Sequence, residues 1–338
     1  MPKTNLVVRL GSLGDVVLAT GVLRAWQKRL EADFVFLTKP AFAPVLFNHP
    51  AIKKIISVPE HALQASGWTS FCRCLARELG HMELIDLHAT LRSAILRAIW
   101  PYRTYTFPKL ALTRRIYSRT GSRYFQKRLL DTDVPGRYFQ ALYQRPPDSR
   151  EVQPLIHLDS KEKLQAKQIL AVSSTQKGTI ALHPYATHPT KAWPRQYWLE
   201  LIAKLEEKGW NWLILGQDAD PMLPGNSRDL TSQTDIRQTC AVLERCSALI
   251  TGDSGPMHLA RAVNTPVLAL FGPTTREWGF YPTGKQDRVL EIDLPCRPCS
   301  LHGRTQNACP APCMSRIQPV QVLDTLAGLL QNSSRHIL

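Results

Sequence analysis

The sequence predicts an α/β protein of two successive domains, each a parallel β-sheet with crossover helices. Three observations point there. Short apolar runs rich in Val, Leu and Ile recur along the chain and alternate with segments of helical spacing. Several of these runs end in a Gly-containing turn that leads straight into a helical pattern, as the strands of parallel sheets do. The length, 338 residues, is more than one ordinary core accommodates and suits two domains.

Residues 5–10 form the first apolar run. Gly11-Ser12-Leu13-Gly14-Asp15 breaks it, and Val16, Ala19, Val22, Leu23, Trp26 and Leu30 follow at helical spacing, so the segment reads as strand, turn, helix. Further buried strands are expected at 34–38, 55–58, 84–87 and 104–107. The polar, proline-bearing stretch Arg145-Pro146-Pro147-Asp148-Ser149-Arg150 marks a boundary near 150, giving domains 1–150 and 151–338. A second series then begins: strand 179–182, helix 195–208 stopped by Gly209, strand 210–215 ending at Gly216, helix 235–245, strand 248–251, helix 256–263 and strand 266–271. Two such Rossmann-like domains would face each other across a cleft at the carboxyl ends of their sheets, where open α/β proteins bind ligands.

Charge separates the two halves. Forty-two Lys and Arg against 27 Asp and Glu give +15, and residues 1–150 hold 23 basic and 10 acidic side chains while the remainder holds 19 and 17. Between Asp86 and Asp131 there is no acid, yet Arg92, Arg97, Arg103, Lys109, Arg114, Arg115, Arg119, Arg123, Lys127 and Arg128 all fall there. Such a run suits a polyanion, whether nucleic acid, anionic lipid or phosphorylated substrate; it also suits a plain solvated basic face. Hydrophobic residues at 44% and the lack of low-complexity tracts exclude a disordered or fibrous chain. Arg9 ends the N-terminal apolar run too early for a secretory segment, no stretch approaches 18 apolar residues, and the eight cysteines are spread unevenly. A cytoplasmic protein with reduced thiols or a metal site is expected.

Three loops carry the chemistry. Gly11-x-x-Gly14-Asp15 lacks the third Gly of a dinucleotide fingerprint and the Lys-Ser/Thr of a Walker loop. What is left is an acid in the first turn of a helix after a strand, either a functional carboxylate held ionised by the helix dipole or a helix cap. The run Thr251-Gly252-Asp253-Ser254-Gly255-Pro256-Met257-His258 again joins strand, turn and helix N-terminus, where backbone amides and the Ser254 hydroxyl would receive a pyrophosphate. His258 would donate to the same anion or pack half-buried. The third loop, 183–194, holds Thr187 and Lys191, which would neutralise phosphate oxygens; alone, Lys191 would also read as a surface charge.

Taken together, Arg9-Leu10-Gly11-Ser12-Leu13-Gly14-Asp15, Thr187-x-x-x-Lys191-x-Trp193-Pro194 and Asp253-Ser254-Gly255-Pro256-x-His258-Leu259-Ala260 resemble the signatures of the family 9 glycosyltransferases, best known for ADP-heptose:lipopolysaccharide heptosyltransferases. The likeness runs from the first strand to about Val322, with the motifs in order. It implies a GT-B fold with the acceptor in the N-terminal domain and the donor in the C-terminal one, and inverting transfer that requires no metal for catalysis. Under the resemblance Asp15 matches the general base, Thr187 and Lys191 the diphosphate contacts, and Asp253, Ser254, Gly255 and His258 the donor loop, with Asp253 toward the heptose. Arg92 falls where the family binds acceptor. The loop after Gly216, usually carrying an acidic donor contact, here offers two acids, Asp218 and Asp220.

Cys296, Cys299, Cys309 and Cys313 place four thiols within eighteen positions, a spacing that suits a structural zinc or iron as well as a set of free thiols. Some relatives in the family carry such a metal. Cys240 and Cys246 read as small core residues.

The expectation is therefore heptose transfer from ADP-heptose to a phosphorylated, lipid-linked sugar of the lipopolysaccharide inner core, Kdo-lipid A or heptosyl-Kdo-lipid A. The enzyme would sit at the cytoplasmic side of the inner membrane through peripheral contact with its anionic surface. Two rivals are a GT-B nucleotide-sugar epimerase, which needs paired acids in its cleft, and a nucleic-acid binder using the basic half. The latter has no helix-turn-helix, zinc finger or aromatic RNA-binding signature behind it, so no nucleic-acid partner is expected.

Overall fold

The computed structural model describes residues 4–170, 178–300 and 309–334. The chain resolves into two compact units. The first comprises Met1–Ala111 with Val134–His157, and the second Leu112–Asp133 with Leu158–Leu338.

In chain order the strands are β1 (Thr4–Val8), β2 (Asp33–Thr38), β3 (Ile52–Ser57), β4 (Leu84–Asp86), β5 (Thr104–Thr106), β6 (Thr179–His183), β7 (Asn211–Ile214), β8 (Ala248–Gly252), β9 (Val267–Phe271) and β10 (Arg288–Glu291). The helices are α1 (Leu13–Leu30), α2 (Ala65–Leu79), α3 (Leu91–Ile99), α4 (Ala111–Thr120), α5 (Arg123–Leu130), α6 (Val134–Phe139), α7 (Ser160–Leu170), α8 (Arg195–Glu207), α9 (Ile236–Leu243), α10 (Gly255–Ala262), α11 (Pro312–Ser315) and α12 (Pro319–Ser334).

Unit 1 is a five-stranded parallel sheet in the order β3-β2-β1-β4-β5. Leu6, Val8, Val35, Leu37 and Leu84 face one side, packed with Trp68, Cys72, Leu75 and Leu79 of α2 and Leu96 of α3. Alternate residues point the other way. There Phe34 meets Trp26 of α1, and Trp26 meets Phe139 of α6. The chain at 152–153 lies directly on α1 at Gly21, where a Cβ would come within 2.2 Å of the Gln153 carbonyl oxygen, so only glycine fits. Leu155 N donates to the Thr20 hydroxyl at 2.9 Å.

Unit 2 is a second five-stranded parallel sheet, β10-β9-β8-β6-β7. One face buries Ile180, Leu182, Ile214, Ile250, Leu268 and Leu270 under Trp198, Leu201 and Leu205 of α8 and Val322, Leu326 and Leu329 of α12. Arg237 of α9 clips α7 through a two-pronged ion pair to Glu162 at 2.6 and 2.7 Å. The expected strands and helices of both halves form, but β3 and β5, expected to be buried, are edge strands with mostly intermediate or exposed residues, and β3 starts at Ile52 rather than 55.

The division between the units is not one cut at residue 150. Helices α4 and α5 go to unit 2, where the Tyr117 hydroxyl and the Gln126 amide both donate to the buried Glu277 carboxylate at 3.0 and 2.7 Å and the Tyr117 ring meets Trp278 edge-on. Residues 134–157 return to unit 1. Local polarity could not disclose this exchange, because α4 and α5 read as a solvated basic surface and their anchor lies about 150 residues downstream.

In each sheet the chain reverses its direction of winding at one place, between β1 and β4 in unit 1 and between β6 and β8 in unit 2. Loops at the carboxyl ends of the strands beside such a reversal are the ligand-binding positions of open α/β sheets. The three loops singled out by sequence follow β1, β6 and β8.

Candidate active site

In unit 1 Asp15 is the third residue of α1, and Ser12 precedes that helix as its cap. The carboxylate is largely buried. Its Oδ2 is paired with the Arg9 guanidinium and accepts hydrogen bonds from the Ser12 hydroxyl at 3.0 Å and the Ser12 amide at 3.3 Å. Its Oδ1 accepts from the Tyr138 hydroxyl at 2.8 Å. Burial pushes this carboxyl up, but the Arg9 charge and the Tyr138 and Ser12 hydrogen bonds outweigh it and hold it below the ordinary carboxylate value. Asp15 is thus both a capping partner and an ionised buried acid. Arg9 is fixed in turn by donation to the Leu87 carbonyl at 2.6 Å and lies over the Tyr138 ring.

The loop after β4 completes this end of the sheet. Asp86 is fully buried; its Oδ1 accepts from the amides of His88 and Ala89 at 2.8 and 2.9 Å, and its Oδ2 meets Arg97 at 3.1 Å. His88 is lowered to about 4 by burial and by the neighbouring charges of Arg9, Lys109 and Arg92, against the opposing pull of Asp15, so it is neutral at pH 7. Lys109 donates to the Ala89 carbonyl at 2.9 Å. Arg92, in the first turn of α3, donates to the Leu63 carbonyl at 2.8 Å and lies over the Trp68 ring.

In unit 2 Lys191 donates to Asp253 Oδ2 at 2.5 Å, and the Thr274 hydroxyl donates to the same oxygen at 2.7 Å. Ser254 stands at the N-terminal boundary of α10 without a side-chain capping bond, with Gly255 and Pro256 in the first turn. The Ser254 hydroxyl is held by Thr251 Oγ1 at 2.9 Å and by His183 Nδ1 at 3.3 Å, and His183 also meets Thr251 at 3.1 Å. Burial lowers His183 to about 4, so the trio is neutral at pH 7. The first-turn amides of α10 supply an anion-binding end, less the one that Pro256 lacks. His258 is buried beside the Phe280 ring.

The structure therefore brings Lys191, Asp253, Ser254 and Gly255 to one place at the β6/β8 reversal. Thr187 lies in the same loop as Lys191 but is exposed, and among the described residues no hydrogen bond ties it to that group. Asp220 is exposed and pairs with Arg195 at 3.2 Å, while Asp218 accepts from the amide of Asp220 at 3.0 Å. The preceding Gly216 adopts φ +148°, and a Cβ there would come within 2.4 Å of the Tyr185 ring.

Sequence reasoning missed Tyr138, Asp86, His88, His183 and Thr274. Of these, Asp86 and His183 end strands β4 and β6 and His88 follows β4 by two residues, so a place at a strand end was the signal that could have found them. Tyr138 lies 123 residues from the carboxylate it touches.

The four clustered cysteines are all described. Burial raises the Cys299 thiol, with neighbouring Cys296 and Cys309 adding to it; burial likewise raises Cys313, with Cys299 and Cys309 adding. The donor set has the right chemistry for zinc or iron, but among the described residues no three His, Cys, Asp or Glu side chains stand arranged to hold a metal ion. Cys240 and Cys246 are buried, their thiols pushed up to about 12 by desolvation, as core residues should be.

The sequence model for glycosyltransferase family 9 (heptosyltransferase) matches residues 73–308, more than half of the chain. The chain belongs to glycosyltransferase family 9. Among curated members, lipopolysaccharide heptosyltransferase 1 of Pseudomonas aeruginosa is 26% identical over 319 residues, spanning 87% of this chain and 85% of that protein. The crystal structure of a family 9 glycosyl transferase from Veillonella parvula superposes with a TM-score of 0.76 at 19% identity, covering 98% of this chain and 97% of that one. E. coli ADP-heptose lps heptosyltransferase II superposes with a TM-score of 0.71 at 20% identity, covering 98% and 99%. The two-sheet GT-B fold is thus shared with family 9 structures across nearly the whole chain.

Proposed function

We propose that this family 9 glycosyltransferase transfers heptose from ADP-heptose, with inversion, to a phosphorylated sugar of the lipopolysaccharide inner core, Kdo-lipid A or heptosyl-Kdo-lipid A. The observation that carries the reading is Asp15, a buried carboxylate kept ionised at the β1/β4 reversal. An acceptor hydroxyl becomes a competent nucleophile as a carboxylate takes its proton, which is general-base catalysis. The departing diphosphate gains negative charge, and Lys191 with the first turn of α10 supplies the positive potential that meets it, so the chemistry needs no catalytic metal. The reading assigns acceptor to unit 1, with Arg92 as a contact, and donor to unit 2, with Thr187, Lys191, Asp253, Ser254, Gly255 and His258. The direct partners of Asp15 are a cation, a phenol and a hydroxyl rather than a second carboxylate, which favours transfer over the paired-acid chemistry of an epimerase.

The same reading puts the enzyme at the cytoplasmic face of the inner membrane. No described helix is long and apolar enough to cross a membrane. Support comes from α4 and α5, where Leu112 (70% exposed) and Tyr124 (69% exposed) stand among Arg114, Arg115, Arg119, Arg123, Lys127 and Arg128. An apolar side chain flanked by cations suits the interface of an anionic bilayer.

The deciding experiment is a thermal-shift screen against ADP-, GDP- and UDP-sugars, followed by the anomeric configuration of the product by NMR. A donor at about 100 times its Kd stabilises the fold by about 2.7 kcal/mol. ADP-heptose should do so, and an inverted product should form. Stabilisation by a GDP- or UDP-sugar in its place, or a retained configuration, refutes the proposal.

A further inference from the structure

The two oxygens of Asp15 are unequally engaged. Oδ2 is met by Arg9 and by both the hydroxyl and the amide of Ser12, whereas Oδ1 has one partner among the described residues, the Tyr138 hydroxyl. A carboxylate oxygen offers two lone-pair directions. Oδ2 is filled; Oδ1 keeps one direction open.

We infer that Oδ1 is the atom that takes the acceptor proton and that Tyr138 is the positioning residue that aims it. The inference rests on the general-base reading above. In the transfer the acceptor O–H bond breaks as Oδ1–H forms, the acceptor oxygen bonds the anomeric carbon, and the bond from that carbon to the diphosphate oxygen breaks with its electron pair leaving on the diphosphate. Throughout, the Tyr138 hydroxyl continues to donate to the other lone pair of Oδ1, so the carboxylate neither rotates nor loses its solvation.

Tyr138 is built for a fixed role. It is 1% exposed, its ring meets Phe107 edge-on at 4.9 Å, and Arg9 lies over its face. Helix α6, which carries it, packs against α1, which carries Asp15. Tyr138→Phe removes the hydroxyl that donates to Asp15 and leaves the ring in place.

The groups facing Asp15 are Arg9 from the end of β1, Ser12 from the turn, Tyr138 from α6 and His88 from the loop after β4; Asp86 acts on Arg9, and Arg92 and Lys109 act on His88. Removing a donor to the charged form raises a carboxyl pKa, so the acid limb of the rate profile must move to higher pH. His88, lowered to about 4, also titrates in acid, and the variant is therefore read as a displacement from the wild-type profile.

The test compares Tyr138→Phe with Asp15→Asn in the full-length enzyme, using ADP-heptose and the acceptor. Tyr138→Phe should lower kcat about tenfold or more, keep donor Kd within about twofold, and shift the acid limb upward. A role in folding alone would lower Tm while leaving the pH profile in place, and that result overturns the inference, as does an unchanged kcat. If Tyr138→Phe does not fold, 3-fluorotyrosine in place of Tyr138 keeps the ring and strengthens the donor, and the acid limb should then move downward; an unmoved limb overturns the inference. If Asp15→Asn retains turnover, the base reading falls and this inference with it. If Asp15→Asn abolishes turnover while Tyr138→Phe changes neither kcat nor the limb, only this inference falls.

Discussion

Lys191 Nζ and Asp253 Oδ2 are 2.5 Å apart, joining the loop after β6 to the loop after β8, and the Thr274 hydroxyl donates to the same oxygen at 2.7 Å. The sequence reading sent Lys191 to phosphate and Asp253 to sugar; the structure shows the two as partners. In the donor site proposed above, a lysine held by an acid is oriented before the anion arrives, and less side-chain freedom is lost on binding. Lys191→Ala should weaken ADP binding in calorimetry and lower kcat, each by about tenfold or more, because it meets charge present in the ground state and growing in the transition state. Unchanged affinity and rate would place Lys191 outside the site.

Asp15→Asn should leave ADP affinity within about twofold and reduce turnover at least about a hundredfold, since the amide cannot take the hydroxyl proton. Near wild-type turnover would remove Asp15 from the mechanism.

Stability should fall with acidification in a defined window. Burial lowers His49, His88 and His183 to about 4 in the folded protein, against about 6.5 when unfolded. Between those values the unfolded chain binds the extra protons, so stability is complete above about pH 6.5 and is lost as the pH drops toward 4, on the order of 3 kcal/mol for His183. Asp15, whose folded value is depressed, contributes its own loss only below the ordinary carboxylate range. Melting temperatures across pH 8 to 4 check this. A flat profile between 6.5 and 4 would show these imidazoles to be solvated.

The four thiols of Cys296, Cys299, Cys309 and Cys313 do not stand around a metal position in the structure, so a structural zinc or iron requires them to close on it; if they do, protein purified without a His tag should carry about one metal per chain. Cys309→Ser should then lose the metal and lower the melting temperature. Metal-free wild type, together with a Cys309→Ser variant of unaltered stability, would make the cluster a set of thiols.

Arg114→Ala, Arg115→Ala and Arg119→Ala combined should weaken co-sedimentation with anionic vesicles, each charge near the surface contributing on the order of 1 kcal/mol at low salt. Rising salt should release the wild type. Binding indifferent to both would sink the electrostatic account, and tight DNA binding without activity on sugar donors would favour the nucleic-acid rival.

The sequence by itself determined the strands, the order of the helices and the loops that carry Asp15, Lys191 and Asp253, because each follows from local rules: apolar runs bury, glycine turns end strands, and helix N-termini attract anions. It also carried the family resemblance, which lies in those same loops. Only the tertiary structure decided which side chains meet. That Tyr138 donates to Asp15, that Thr274 shares Asp253 with Lys191, and that α4 and α5 attach to the second unit through Glu277 depend on segments far apart in the chain. Hydrogen bonds of this kind are set by the stacking of strands and helices, and no periodicity in the intervening residues encodes them.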